Sequence, residues 1–240
     1  MHLALLGPPG SGKTVQAVRL ARYYHLAHVA AGSLLRAEAA AGTALGRVAA
    51  KHLARGRLVP GALVLEMVRR RLREADTRHG FVFDGFPRRL PEARATDRLL
   101  ADLGMPLARV FFLRVPDAVA MERATARLVC GECEAIFNAR YAPPIPGDIC
   151  PACRTVLHAT KEGEVRCEAC RRPIGPRPDD RPEIVRDRLA EYHRETEPVA
   201  GYYRARGVLA EVDATAEADE VFLRILDHLG ERRPGLRAAS

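Results

Sequence analysis

Short apolar runs alternate with amphipathic stretches from one end of this chain to the other. Runs at His2 to Leu6, Ala27 to Ala30, Phe81 to Phe83, Val110 to Leu113 and Val208 to Val212 predict strands. Stretches with helical spacing lie between them, at Thr14 to Tyr24, Ser33 to Ala41, Ala44 to Ala54, Ala62 to Ala75, Pro91 to Leu103, Asp117 to Thr125, Pro182 to Arg206 and Ala218 to Leu229. Pro91 and Pro182 open two of these helices, where a missing N–H costs nothing. Strands separated by helices imply an α/β fold, a parallel sheet with helices on both faces. Residues 231–240 read as a disordered tail.

The first strand runs into Gly7-Pro8-Pro9-Gly10-Ser11-Gly12-Lys13-Thr14 and then a helix, which is the context of a phosphate-binding P-loop. Backbone N–H groups left free at a helix start, reinforced by the helix dipole, can cradle phosphate oxygens, and glycine permits their close approach. Lys13 then reaches the β- and γ-phosphates and Thr14 is a magnesium ligand; the competing reading is a glycine-rich turn without a ligand. A second such segment is Phe81-Val82-Phe83-Asp84-Gly85-Phe86-Pro87-Arg88. It ends a buried strand, where parallel sheets bind ligands. Asp84 there would hold Mg²⁺ through water, Gly85 would admit a second phosphate and Arg88 would clamp it, unless Asp84 only caps a turn.

Composition narrows the class. With 240 residues, 48% hydrophobic and 28% charged, the chain can bury one sizeable core plus an appendage and is not disordered. Net charge is +8, and lysine occurs only at Lys13, Lys51 and Lys161, so nearly all of the 38 basic residues are arginine, whose fork suits phosphate. Diffuse basic charge alone supports no nucleic-acid partner. The start of the chain has no basic segment ahead of its apolar run, and no stretch approaches the roughly 20 apolar residues of a membrane span. A cytoplasmic protein is expected. The six cysteines form three C-x-x-C pairs at 130 and 133, 150 and 153, and 167 and 170. Confinement to one segment speaks for metal rather than a disulfide framework.

These motifs resemble those of the adenylate kinase family, in the form with a zinc-bearing lid. The P-loop, Ala31-Gly32-Ser33-Leu34-Leu35-Arg36, Gly56-Arg57-Leu58-Val59-Pro60, Asp84-Gly85-Phe86-Pro87-Arg88, Arg177-Pro178-Asp179-Asp180 and Arg188-Leu189 fall in family order over almost the whole chain. The resemblance implies a three-layer P-loop NTPase fold with a five-stranded parallel sheet. It divides the chain into a core (residues 1–29, 61–125 and 181–230), a small helical domain binding the nucleoside monophosphate (30–60) and an inserted zinc-ribbon lid (126–180). The implied reaction is reversible, Mg²⁺-dependent transfer of the γ-phosphoryl of ATP to AMP, giving two ADP. The partners implied are small-molecule nucleotides, with neither nucleic acid nor membrane, acting on a monomer.

By similarity, ATP is held by Gly10, Ser11, Gly12, Lys13, Thr14 and Val15, with Arg123 over the adenine face and Arg127 beside it. AMP is held by Ala31, Arg36, Arg57, Val59, Gly85, Arg88, Glu92, Arg177 and Arg188. Lys13, Asp84, Arg88, Arg123, Arg127, Arg177 and Arg188 form the implied catalytic set. Asp179 and Asp180 would orient the arginines, cap the helix at Pro182, or both.

Three departures from the family bear on the substrate. The hydroxyl after the P-loop lysine sits at Thr14, followed by Val15, one residue earlier than usual. Ala31 and Ser33 replace threonine and aspartate in the monophosphate pocket, with Ser33 expected to cap the following helix. Glu92 stands where glutamine is expected, and an ionised carboxylate cannot donate to the adenine ring nitrogen. Either Glu92 reads another base, GMP or CMP being the alternative substrates, or it is an acid suited to a first helical turn. The remaining alternatives are a zinc-ribbon protein binding nucleic acid and a degenerate lid-regulated binder that keeps ATP affinity without transfer.

Cys133 and Cys150 are separated by 16 residues, which suits Cys130, Cys133, Cys150 and Cys153 around one tetrahedral structural zinc. The segments Cys150-Pro-Ala-Cys-Arg and Cys167-Glu-Ala-Cys-Arg recur after 17 residues. Cys167 and Cys170 are therefore an alternative second pair, because Cys170 keeps the family distance to Arg177.

Overall fold

A computed structural model describes residues 1–55 and 57–231. Gly56 of the predicted monophosphate motif and residues 232–240 of the predicted tail lie outside the described residues. Glu231, placed in that tail by the sequence, is described and accepts a hydrogen bond from the Tyr24 hydroxyl at 3.3 Å.

Strands β1 (His2–Leu6), β2 (Ala27–Ala30), β3 (Phe81–Asp84) and β4 (Arg109–Arg114) lie in one sheet with a last strand, Leu209–Asp213, in the order last, β4, β1, β3, β2. Every pairing in this five-stranded sheet is parallel. Such a sheet is covered on both faces, which is why its inner strands β1, β3 and β4 read as largely apolar runs, whereas β2 and the last strand, at the edges, carry His28 and Glu211. Alternate residues of β1 serve opposite cores: Ala4 and Leu6 pack into one, Leu3 and Leu5 into the other. Helix α1 (Lys13–Tyr23) supplies Ala17 and Leu20 to the second core. The first core takes Leu35 of α2 (Ala31–Ala40), Ala49 of α3 (Ala44–Leu53), Val68 of α4 (Gly61–Arg71) and Leu100 of α5 (Leu90–Asp102). This is the three-layer arrangement the alternation implies.

Between α6 (Asp117–Thr125) and α7 (Pro182–Glu191) the chain leaves the sheet and builds a separate unit. Strand β5 (Arg127–Cys130) pairs antiparallel with β6 (Ile136–Asn138) and with β9 (Ile174–Pro176), while β7 (Leu157–Ala159) pairs with β8 (Val165–Cys167). All but β5 are three residues long, too short for periodicity to register.

The helix expected over Pro182 to Arg206 is instead two helices, α7 and α8 (Glu197–Ala205), joined by a π-helical turn at Tyr192–Thr196. Pro198 has no N–H, so no bond can run from it to the carbonyl four residues earlier, and the turn before it widens. The Glu197 N–H reaches Tyr192 O, five residues back. The last strand, β10 (Leu209–Asp213), and α9 (Ala218–His228) complete the fold, with Val221 and Ile225 of α9 in the second core. Among the described residues no helix is long and apolar enough to cross a membrane.

Candidate active site

Glycine geometry shapes the loop between β1 and α1. Gly12 is the residue before α1 at φ +86°, and Gly10, at φ +82°, packs so tightly that a Cβ there would lie 2.1 Å from Ala120 O. Only glycine meets both demands at Gly10. The Lys13 ammonium folds back over the loop and donates to Gly7 O (2.7 Å), Pro8 O (2.6 Å) and Ser11 Oγ (3.3 Å). Burial pulls its pKa down to about 7; Asp84 opposes the shift, and Arg88, Arg188 and Arg127 add to it. A buried cation crowded by other cations is a place that favours anions.

Asp84 ends β3 beside this loop, as expected, and only 7% of it is exposed. Burial pushes its carboxyl up, yet His28, Thr14 and Lys13 together bring it below the ordinary carboxylate range. The hydrogen bond from Thr14 joins the two expected magnesium ligands, a carboxylate and a hydroxyl of the kind a hard divalent cation takes. His28, on β2, stands 3.4 Å from Asp84 Oδ2. The sequence reading missed it; its signal is a titratable residue inside a strand otherwise made of alanine and valine.

The arginines are held by backbone carbonyls and carboxylates. Arg88 donates to Gly85 O at 2.7 Å, and burial lowers its pKa against the pull of Asp84, Glu92 and Glu191. Arg127 binds Asp180 through both Nε, at 2.7 Å, and a terminal nitrogen, while Arg188 reaches Asp180 Oδ1 at 3.0 Å. Arg177 makes the equivalent fork with Asp179, at 3.0 and 2.6 Å. Burial first, then Arg127, pulls Arg188 down to about 10; the pKa of Arg177 is lowered by the same two causes and by Arg36. Lys13, Arg88 and Arg188 line one cleft; Arg127 acts electrostatically on Lys13 and Arg188, and Arg36 on Arg88 and Arg177, which links the six cations in one connected group. Asp180, 4% exposed, does more than precede a helix: it aligns two arginines.

Other expected site residues take more particular positions. Arg36 donates through Nε to Glu134 of the inserted unit at 2.7 Å and through a terminal nitrogen to Ser33 Oγ at 3.0 Å. Ser33 does not cap α2, which begins at Ala31 with Ala30 as its uncapped boundary; it lies inside the helix and serves Arg36. Val59 is buried and its carbonyl accepts from Arg89, whereas Arg57 is exposed. Arg123 stands apart from the other arginines, with its guanidinium donating to Ala214 O (2.6 Å), Thr215 O (2.7 Å) and Ala216 O (3.2 Å) of the loop after β10. Val15 is half-buried in α1. Glu191, which the sequence reading also missed, accepts from the Leu58 N–H at 2.9 Å and ties the segment before α4 to α7.

Glu92 is 7% exposed, and its Oε2 accepts from the Arg88 N–H at 2.9 Å. Burial raises its pKa, partly offset by the backbone of Arg88 and by Arg89. A carboxylate closing the first turn of α5 fits the helix-start alternative.

The six cysteines are unbridged, and their thiols crowd into one cluster with Cys130, Cys150, Cys167 and Cys170 buried. The expected quartet of Cys130, Cys133, Cys150 and Cys153 is not how they group. One set of four is Cys130, Cys133, Cys167 and Cys170, and another is Cys133, Cys150, Cys153 and Cys167. The antiparallel β7–β8 pair puts Cys167 opposite Leu157, bringing the third pair back among the first two. Thiol-only sets of four suit zinc.

A family model for adenylate kinase matches residues 5–208. The chain is 39% identical over 222 residues to the adenylate kinase of Thermodesulfovibrio yellowstonii, covering 92% of this chain and 95% of that one. It is 38% identical over 230 residues to that of Streptomyces coelicolor, covering 95% and 98%. It is 36% identical over 225 residues to that of Archaeoglobus fulgidus, covering 94% and 96%. Because the family model and these relatives run nearly the whole length of the chain, through the P-loop, the acidic strand end and the arginines just described, the chain belongs to the adenylate kinase family.

Proposed function

We infer that this protein is an adenylate kinase, transferring the γ-phosphoryl of ATP to AMP to give two ADP. The observation that carries the reading is the cleft lined by Lys13, Arg88 and Arg188, with Asp84 acting on Lys13 and Arg88, Arg127 on Lys13 and Arg188, and Arg36 on Arg88 and Arg177. Phosphoryl transfer asks little covalent chemistry of a protein; it asks that donor and acceptor be aligned and that the spreading charge be met by fixed cations. Six buried or half-buried cations held by forks, backbone carbonyls and carboxylates supply such a field without reorganising.

In this reading residues 10–15 hold the ATP phosphates and Arg123 lies against its base, while Arg36 and Arg88 hold the AMP phosphate with Ala31, Arg57, Val59 and Gly85 around the nucleotide. Arg127, Arg177 and Arg188 face the phosphoryl in transit. Asp84 and Thr14 would hold Mg²⁺, which supplies charge neutralisation at the phosphates. Helices α2 and α3 form the monophosphate domain, and residues 126–180 form the lid, which zinc would stiffen as a structural ion because four thiolates close its coordination sphere. No disulfide joins the six cysteines, which agrees with a reducing cytoplasm.

GMP or CMP as acceptor and a nucleic-acid-binding zinc ribbon are both disfavoured by family matches that run nearly the length of the chain. A coupled assay for ADP with ATP, Mg²⁺ and each monophosphate tests the reading. AMP should give the highest kcat/KM; absence of turnover, or a higher kcat/KM with another monophosphate, would refute it.

A further inference from the structure

Six thiols in three pairs are more than one tetrahedral ion can use, and their arrangement shows where the surplus goes. Within each set of four, all sulfurs lie inside 4.8 Å of one another, and the two sets share Cys133 and Cys167. Cys133 Sγ is 3.8 Å from Cys150 Sγ and 3.8 Å from Cys167 Sγ. A regular tetrahedron with zinc–sulfur bonds of ~2.3 Å has edges of ~3.8 Å, so these contacts already have the length two ligands of one zinc require.

The backbone supports the same geometry. After Cys133 and after Cys153 the chain turns through Glu134 at φ +56° and Arg154 at φ +64°. In both places the N–H of that residue returns to the carbonyl of the pair's first cysteine, at 3.1 Å. The Thr155 hydroxyl stands 3.2 Å from Cys153 Sγ, close enough to donate to it. Donors aimed at sulfur are what thiolate ligands need from their surroundings. The pair Cys167 and Cys170 closes a tighter turn, Cys170 N–H to Cys167 O at 3.1 Å, and Cys167 belongs to both sets of four.

We propose that the lid holds a binuclear cluster of two zinc ions and six thiolates, with Cys133 and Cys167 bridging. Cys130 and Cys170 complete the sphere of one ion, Cys150 and Cys153 that of the other. Two Zn²⁺ displace the six thiol protons and form a cluster of net charge −2, with each ion bound by four sulfurs. The alternative of a single zinc leaves two thiols out whichever set it takes, and the excluded pair would include Cys150 or Cys130, both fully buried beside it. This inference rests on reading the cysteine segment as a zinc site, and not on the phosphoryl-transfer reading.

Metal analysis and native mass spectrometry of the full zinc-loaded chain test it. The expected result is two zinc ions per chain, with a zinc–zinc scattering shell in X-ray absorption. The double variant Cys130→Ala/Cys170→Ala should keep one zinc on the intact second set, and Cys150→Ala/Cys153→Ala should keep one on the first. If a single ion sat on Cys130, Cys133, Cys150 and Cys153, the parent would carry one zinc and both double variants none. One zinc per parent chain, or iron in place of zinc, overturns the proposal even if a variant fails to fold. Stoichiometry is read without turnover, so an inactive enzyme with two zinc ions would sink the functional reading alone.

Discussion

Replacing Asp180 by alanine removes the anion on which two site arginines depend. Its carboxylate is 2% exposed and takes the Arg127 fork on both oxygens and Arg188 on Oδ1. Arg188 keeps Asp179, through its carbonyl at 2.9 Å and its carboxylate at 3.4 Å, so the loss falls mainly on Arg127. Breaking a buried pair from one side costs about 3–5 kcal/mol, because the remaining charge stays desolvated. Here the penalty is sharpened by the other cations facing Arg127. For a chain of this size each kcal/mol lowers Tm by about 2–4 °C, so the ligand-free variant should melt about 6–20 °C lower. A triphosphate brings a substitute anion, so saturating ATP should recover part of that difference. Freed arginines no longer aim at the transferred group, and kcat should fall by about 10²-fold, the scale of losing one preorganised donor. Differential scanning calorimetry with and without ATP, together with steady-state kinetics, reads both effects. A Tm within about 2 °C and a kcat within about threefold of the parent would show that Arg127 is held by something else.

Three further outcomes are expected. In the free enzyme Lys13 titrates near 7, well below the ordinary lysine value, and bound phosphate would raise that pKa. ATP binding at pH 8 should therefore take up a proton, and affinity should fall as pH rises through 7; calorimetric heats at pH 8 that do not vary with the buffer's ionisation enthalpy contradict this. Glu92→Gln keeps an acceptor for the Arg88 N–H, so the AMP-to-GMP ratio of kcat/KM should change by less than about threefold, whereas a shift of about tenfold, ~1.4 kcal/mol, would mean that Glu92 reads the base. Gly10→Ala forces a Cβ to within 2.1 Å of Ala120 O at positive φ, and should cost more than ~1 kcal/mol of stability and most ATP affinity, as thermal melts and nucleotide titration would reveal.

The central sheet was legible in the chain because β1, β3 and β4, inside the sheet, are buried on both faces and read as short apolar runs, while the edge strands β2 and β10 are interrupted by His28 and Glu211. The phosphate loop and Asp84 were legible for a related reason: glycine spacing and a strand-terminal acid are local requirements, met within a few neighbouring residues. Long-range placement was not. His28 beside Asp84, Glu191 on the Leu58 N–H and Glu134 on Arg36 are partners separated by tens of residues, and no sequence period marks them. Ser33 shifted from cap to helix interior because the cap position of α2 is Ala30, three residues before the polar signal. Cysteine spacing announced a metal site, yet spacing counts residues along one strand of chain, while ligand sets are chosen by distance across folded hairpins. Only the tertiary structure, by returning Cys167 to Cys133, decided which thiols meet, because a metal site is defined by simultaneous proximity of groups that the backbone path must first bring together.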